Sequence, residues 1–263
     1  MFSSTTRSVA AVAGLAMATA SLAACAPSSS AHGLSVVATT TQICDYVTQI
    51  AARSTDISLD KTDAAGQSTH VGAAADGAAL TMSLTCLLAP NASAHEHEMT
   101  PAQTSALAQA DVMAVSGVDL EHFLDDAVVS SGFKGRMVVT SGVLTAADVD
   151  NPGAPDPESA YTIDRGNERV DVAPWPFPPE EAGEEPEFRF DPHVWTSPKG
   201  ARIQVANLGA GLAAAAPDAA SSINAATASY LEDIDALDEW TAEAIATVPE
   251  GQRVLFTSHD AFG

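Results

Sequence analysis

The chain of 263 residues carries 34 acidic side chains against 11 basic ones, a formal charge of −23. So few basic residues cannot lay a stripe along a phosphate backbone, which excludes nucleic acid as a partner. An apolar fraction of 46% supports a folded core and excludes global disorder, and the length suits one large domain or two lobes.

Residues 1–24 read as an export signal. Arg7 supplies a weak positive start, and the apolar, Ala-rich stretch that follows is too short for a spanning helix. Leu22-Ala23-Ala24-Cys25 resembles the bacterial lipoprotein box. That implies cleavage before Cys25 and lipid on its sulfur; the other reading is an ordinary secretory signal that contains a cysteine. No later stretch is long and apolar enough to span a bilayer. The mature chain is therefore expected at the cell membrane, lipid-anchored on the extracytoplasmic side, with residues 25–33 as a Ser/Ala/Pro tether. Once Cys25 is assigned to the anchor, Cys44 and Cys86 remain as an even pair in an oxidising compartment. They are a disulfide candidate, with two buried thiols as the alternative.

In chain order, residues 34–39 read as a strand. Residues 42–50 read as a helix, with Ile43, Tyr46, Val47 and Ile50 at helical spacing. The polar stretch 55–78, with Gly66, Gly72 and Gly77, reads as a long loop. A strand at 80–88 is followed by a helix at 101–110, with Thr100 as N-cap and Pro101 in its first turn. A strand at 112–116, a helix at 120–129 and a strand at 136–140 complete an alternation that predicts an α/β fold, a parallel sheet covered by helices. Residues 148–190 interrupt it with an acidic, Pro-rich insertion that includes Pro176, Pro178 and Pro179. The insertion reads as solvated and mobile, with a low-affinity cation antenna as the functional alternative. From residue 198 the chain turns helical. A long helix runs from Pro217-Asp218 to about 248, with Ile223, Tyr230, Ile234, Leu237 and Ile245 on roughly one face. A last strand is expected at 253–257.

Four of the seven histidines follow predicted strands or the insertion: His95, His97, His193 and His259. Ligand sites of open parallel sheets lie beyond the carboxyl ends of the strands. Imidazoles converging there suit a borderline-soft divalent ion such as zinc.

Several motifs together resemble one family. They are Val36-Val37-Ala38-Thr39-Thr40-Thr41-Gln42-Ile43, Val115-Ser116-Gly117-Val118-Asp119-Leu120-Glu121, Asp191-Pro192-His193-Val194-Trp195 and Thr257-Ser258-His259-Asp260-Ala261-Phe262-Gly263. The chain resembles the zinc- and manganese-binding solute-binding lipoproteins of bacterial ABC importers (cluster A-I, solute-binding protein family 9). The resemblance implies two α/β lobes joined by a long helix, with a divalent metal in the cleft, and an ABC permease with its ATPase as partners. On this reading residues 34–197 form the N-terminal lobe, 198–249 the linker helices and 250–263 the start of a C-terminal lobe that lies mostly beyond Gly263. The implied ligands are His95, His193 and His259, with the fourth, a carboxylate, also beyond Gly263.

The family's usual Asp-Pro-His at the first site is here Ser93-Ala94-His95, so His97 stays open as an alternate to His95. The spacing of His95, Glu98 and Pro101 favours His95. Histidine at position 259 leans to zinc, with manganese as the other ion. Asp191 and Asp260 could orient imidazoles by accepting their second ring N–H; their plainer roles are a turn residue and a helix cap.

Two rival functions compete. A lipid-anchored zinc hydrolase is suggested by His95-Glu96-His97-Glu98, but a His-Glu-x-x-His helix would need histidine where Met99 stands, and no Gly-x-Ser-x-Gly elbow occurs. The other rival is a surface adhesin on the same fold. The expectation is a binding protein and not an enzyme.

Overall fold

The computed structural model describes residue 1 and residues 33–256, apart from 157, 180–182 and 184–185. Residues 2–32 of the expected export signal and tether, including the expected anchor residue Cys25, lie outside the described residues, as do His259 and Asp260. Seven strands form one sheet: β1 (Leu34–Ala38), β2 (Ile57–Thr62), β3 (Ser68–Gly72), β4 (Leu80–Cys86), β5 (Val112–Val115), β6 (Arg136–Val139) and β7 (Thr162–Asp164). Their order is β3-β2-β4-β1-β5-β6-β7, and only the β2–β3 pair is antiparallel.

Helices cover both faces, so central strands are buried on both sides and read as continuous apolar runs. Val36 and Ala38 of β1 face one core cluster with α1 (Thr41–Ala52), α5 (Pro198–Ala215) and α6 (Ala220–Ala246). Val37 faces the other, with Met113, Val115, Met137 and Val139, beside α2 (Pro101–Ala108) and α3 (Leu124–Ser131). Cys44 of α1 and Cys86 of β4 are joined as a disulfide with their Cα atoms 5.6 Å apart, which ties the first helix to the sheet.

The stretch 55–78 is not a loop. It holds β2 and the β2–β3 hairpin, in which Asp60 stands directly opposite His70 and the two side chains pair at 2.9 Å. The Asp63 carboxylate accepts from Ala65 N and Gln67 N, and Gly66 supplies the positive φ that closes the turn. The sequence carries that turn signal, but polar outward-facing residues on β3 hide the strand that follows it.

The 120–129 helix is also shifted: α3 spans Leu124–Ser131. Gly117, Val118 and Asp119 all adopt positive φ, and Val118 N and Asp119 N donate to Val143 O and Leu144 O. A Cβ on Gly117 would collide with Val143 O, so this turn needs glycine there. The turn keeps residues 117–123 out of the helix.

The acidic insertion is anchored to the lobe. It begins within α4 (Ala146–Asp150) and contains β7, and Val170 is buried against Val118 and Val143. Arg165 pairs with Asp148 at 3.1 Å and with Asp156 at 2.6 Å. The Asn207 side chain of α5 accepts from Asn167 N and Glu168 N and donates to Thr140 O and Glu168 O. Trp175 N donates to Arg189 O and Asp191 N to Ala173 O, which pairs residues 173–175 with residues 189–191.

The long helix α6 has 27 residues, about 40 Å at 1.5 Å per residue. Ile223 and Ile234 are buried, while Leu237, Trp240 and Ile245 further along are exposed. The expected strand at 253–257 does not form over residues 253–256. No neighbouring strand is present among the described residues to pair with it, and Val254, Leu255 and Phe256 stand exposed.

Candidate metal centre

The chain passes from β4 across β1 to β5, so the sheet reverses its direction of growth at β1. A crevice opens where the connections beyond these carboxyl ends separate. Three loops meet there: the one after β4 with His95 and His97, the one after β5 with Glu121 and His122, and the segment before α5 with Asp191 and His193.

The β4 loop is fixed at its far end by a capping box. Thr100 Oγ1 accepts from Gln103 N, Gln103 Oε1 accepts from Thr100 N, and Gln103 Nε2 donates to Leu87 O at 2.7 Å. The β5 loop is fixed by Glu121, a fully buried carboxyl group. It accepts from Thr39 Oγ1 at 2.6 Å, Ser116 N at 2.7 Å and Gly117 N at 3.1 Å, which binds the end of β5 to the end of β1. Burial pushes its pKa up, against the pull of these donors.

His193 is 4% exposed, in the segment that leads into a single 3-10 turn and then α5. Asp191 Oδ1 accepts from His193 N at 3.0 Å and from the ring Nδ1 at 2.8 Å. The carboxylate therefore fixes both the backbone turn and the ring. His95 Nδ1 donates to Leu120 O at 3.3 Å. A proton on Nδ1 suits both acceptors and puts the lone pair on Nε2, the nitrogen that would ligate a metal.

The two rings lie 5.5 Å apart between centroids, at 82°. Together they line a cavity of about 450 Å³ with Thr41, Leu120 and Trp195. Burial lowers the His95 pKa, partly offset by the Leu120 carbonyl, and so favours the neutral ring a metal requires. Aromatic rings enclose the pair: Phe188 of the insertion is 4.9 Å from His95, Trp195 is 5.3 Å and Trp175 6.0 Å from His193.

His97 points elsewhere. Its ring packs edge-on against Phe123 at 4.9 Å, and its Nε2 is buried with no hydrogen-bond partner among the described residues. His95, not His97, is thus the histidine beside His193. Among the described residues no group of three or more His, Cys, Asp or Glu side chains is arranged to hold an ion.

Three residues of this region escaped the sequence reading of roles. His122 lies 5.9 Å from His95, ring to ring. Phe188 is buried to 4% although it sits within an acidic run. The only sequence signal for Glu121 was its place at the end of a family motif.

This fold is a doubly wound α/β lobe with paired histidines at its switch point. The chain belongs to the ZnuA family, zinc-uptake complex component A periplasmic, whose family model matches residues 36–263. It is 28% identical over 179 residues to the manganese-binding lipoprotein MntA of Bacillus subtilis (strain 168), covering 68% of this chain and 48% of that protein. It is 36% identical over 74 residues to the zinc-binding protein AdcA of Streptococcus pyogenes serotype M3, covering 28% of this chain and 14% of that protein. Among solved structures, the periplasmic zinc-binding protein TroA from Treponema pallidum shares the fold. The TM-score is 0.57 at 21% identity, covering 88% of this chain and 62% of that one. The chain spans about half the length of the MntA relatives it matches.

Proposed function

We propose that the chain is the extracytoplasmic metal-binding component of an ABC importer, held to the membrane by lipid on Cys25. It captures a divalent ion and hands it to the permease, whose ATPase drives uptake. Residues 34–197 act as the metal-bearing lobe and 198–249 as the linker. His95, His193 and His259 supply imidazole ligands, and Asp191 and Asp260 orient rings from behind. Zinc is favoured over manganese because position 259 is histidine, and three imidazoles with one carboxylate make a closed tetrahedral site. A closed site binds, whereas catalytic zinc keeps an open position. The relatives MntA and AdcA are named for metal binding, which supports a binding protein.

The observation that carries this reading is the pairing of His95 and His193 at the sheet's switch point, each oriented through Nδ1 by an oxygen acceptor. No described helix is long and apolar enough to cross a membrane. Isothermal titration of the protein with zinc and with manganese tests the proposal. Zinc is expected to bind more tightly, and His193→Ala to lose most of the affinity. Full affinity in His193→Ala would remove the assignment.

A further inference from the structure

His122 follows the buried Glu121 and is itself exposed at the rim of the crevice. Glu121 clamps the backbone before it to β1, so the ring is presented from a fixed base. His122 stands 5.9 Å from His95 and 5.3 Å from Phe188. His95 in turn stands 5.5 Å from His193. The three imidazoles therefore follow one another from solvent to the buried end of the site, with His95 next to both of the others.

A zinc–nitrogen bond of about 2.0–2.1 Å places the ion roughly 3.2 Å from the ring centroid. Two imidazoles on one tetrahedral ion then have centroids about 5.2 Å apart, and about 6.4 Å is the limit for a linear pair. Both observed separations fall within that reach. The two separations fit two successive pairs, with His95 common to both.

The surroundings favour a cation on this path. On its outer side His122 shares a pocket of about 160 Å³ with Asp119 and Asp125. Glu187, exposed on the insertion, immediately precedes Phe188 in the chain. Phe188, lying against both His95 and His122, narrows the approach to that side.

We infer that His122 is an entry ligand: it takes a divalent ion jointly with His95, and the ion then exchanges the His122 nitrogen for that of His193. One metal–nitrogen bond forms as another breaks, and no redox change is involved. Release uses the same steps in reverse. This inference rests on the proposed assignment of His95 and His193 as ligands.

Stopped-flow mixing of the metal-free protein with zinc tests it, read through the tryptophan fluorescence of Trp175 and Trp195 beside His193. Release is followed into excess chelator. His122→Gln is expected to slow association and release together, each about tenfold. His122→Asp, which restores a ligand atom at the same place, is expected to recover much of both rates. Unchanged rates in His122→Gln, or faster release alone, would overturn the entry role. His193→Ala binding zinc as tightly as the parent would instead overturn the underlying assignment. An unchanged melting temperature in His122→Gln, expected for an exposed ring, keeps the readout free of folding effects.

Discussion

Asp191 does two jobs with one oxygen: it accepts from the His193 backbone N and from the ring Nδ1. The first shapes a turn; the second sets which ring nitrogen carries the lone pair. Asp191→Asn can keep the turn, but its amide can also donate and so loses control of the tautomer. Zinc affinity is expected to fall about 10–100-fold while the fold persists, measured by competition with a chromogenic chelator. An unchanged affinity would leave Asp191 with the turn alone. The sequence made Asp191 and His193 legible because they sit in one short motif. It favoured His95 over His97 through motif spacing but left His97 open, because spacing along a loop does not say which ring turns inward. Packing decides that: Phe123 takes the His97 ring, while the Leu120 carbonyl takes His95 Nδ1.

At the scale of elements, the strand–helix alternation was readable because parallel strands buried on both faces leave unbroken apolar runs, as in Val36, Val37 and Ala38. The β2–β3 hairpin was not readable, since β3 is an edge strand whose side chains are mostly exposed. The insertion misled for a related reason. Its acid and proline suggest mobility, yet the few apolar residues within it, Val170, Phe188 and Phe190, are the ones that dock. Two predictions belong here. The Cys44–Cys86 bridge closes a span of 42 residues, for which loop entropy gives about 4 kcal/mol. Cys44→Ser with Cys86→Ser should lower the denaturant midpoint accordingly, and an unchanged midpoint would show that the bridge contributes nothing.

The second concerns Asp148. Burial raises its pKa, but the Arg165 guanidinium and the Leu144 and Thr145 N–H groups outweigh burial and hold it below the usual carboxylate value. A carboxyl depressed in the folded state contributes stability above its unfolded pKa, and that contribution is lost as pH falls through the folded one. Asp148→Asn should therefore be less stable than the parent at pH 7, with the difference shrinking below about pH 4. Thermal melts across that range check it; a gap that stays constant with pH would contradict it.

Across the whole molecule, 12 acidic and 3 basic residues fall in the insertion, a net of −9 out of −23, and the insertion lays Phe188 over His95. The acid excess is thus partly a feature of the crevice rather than a uniform coat. The fold follows from burial patterns, whereas the site depends on side chains far apart in sequence, His95 and His193, meeting over a sheet. Motif resemblance, not periodicity, made that meeting predictable. The most direct test of the central claim, that these two imidazoles hold the metal, is the zinc K-edge X-ray absorption spectrum of the zinc-loaded protein. At least two imidazole nitrogens at about 2.0–2.1 Å are predicted, with one fewer in His193→Ala. A shell of oxygen alone, or a spectrum unchanged by His193→Ala, would contradict the account.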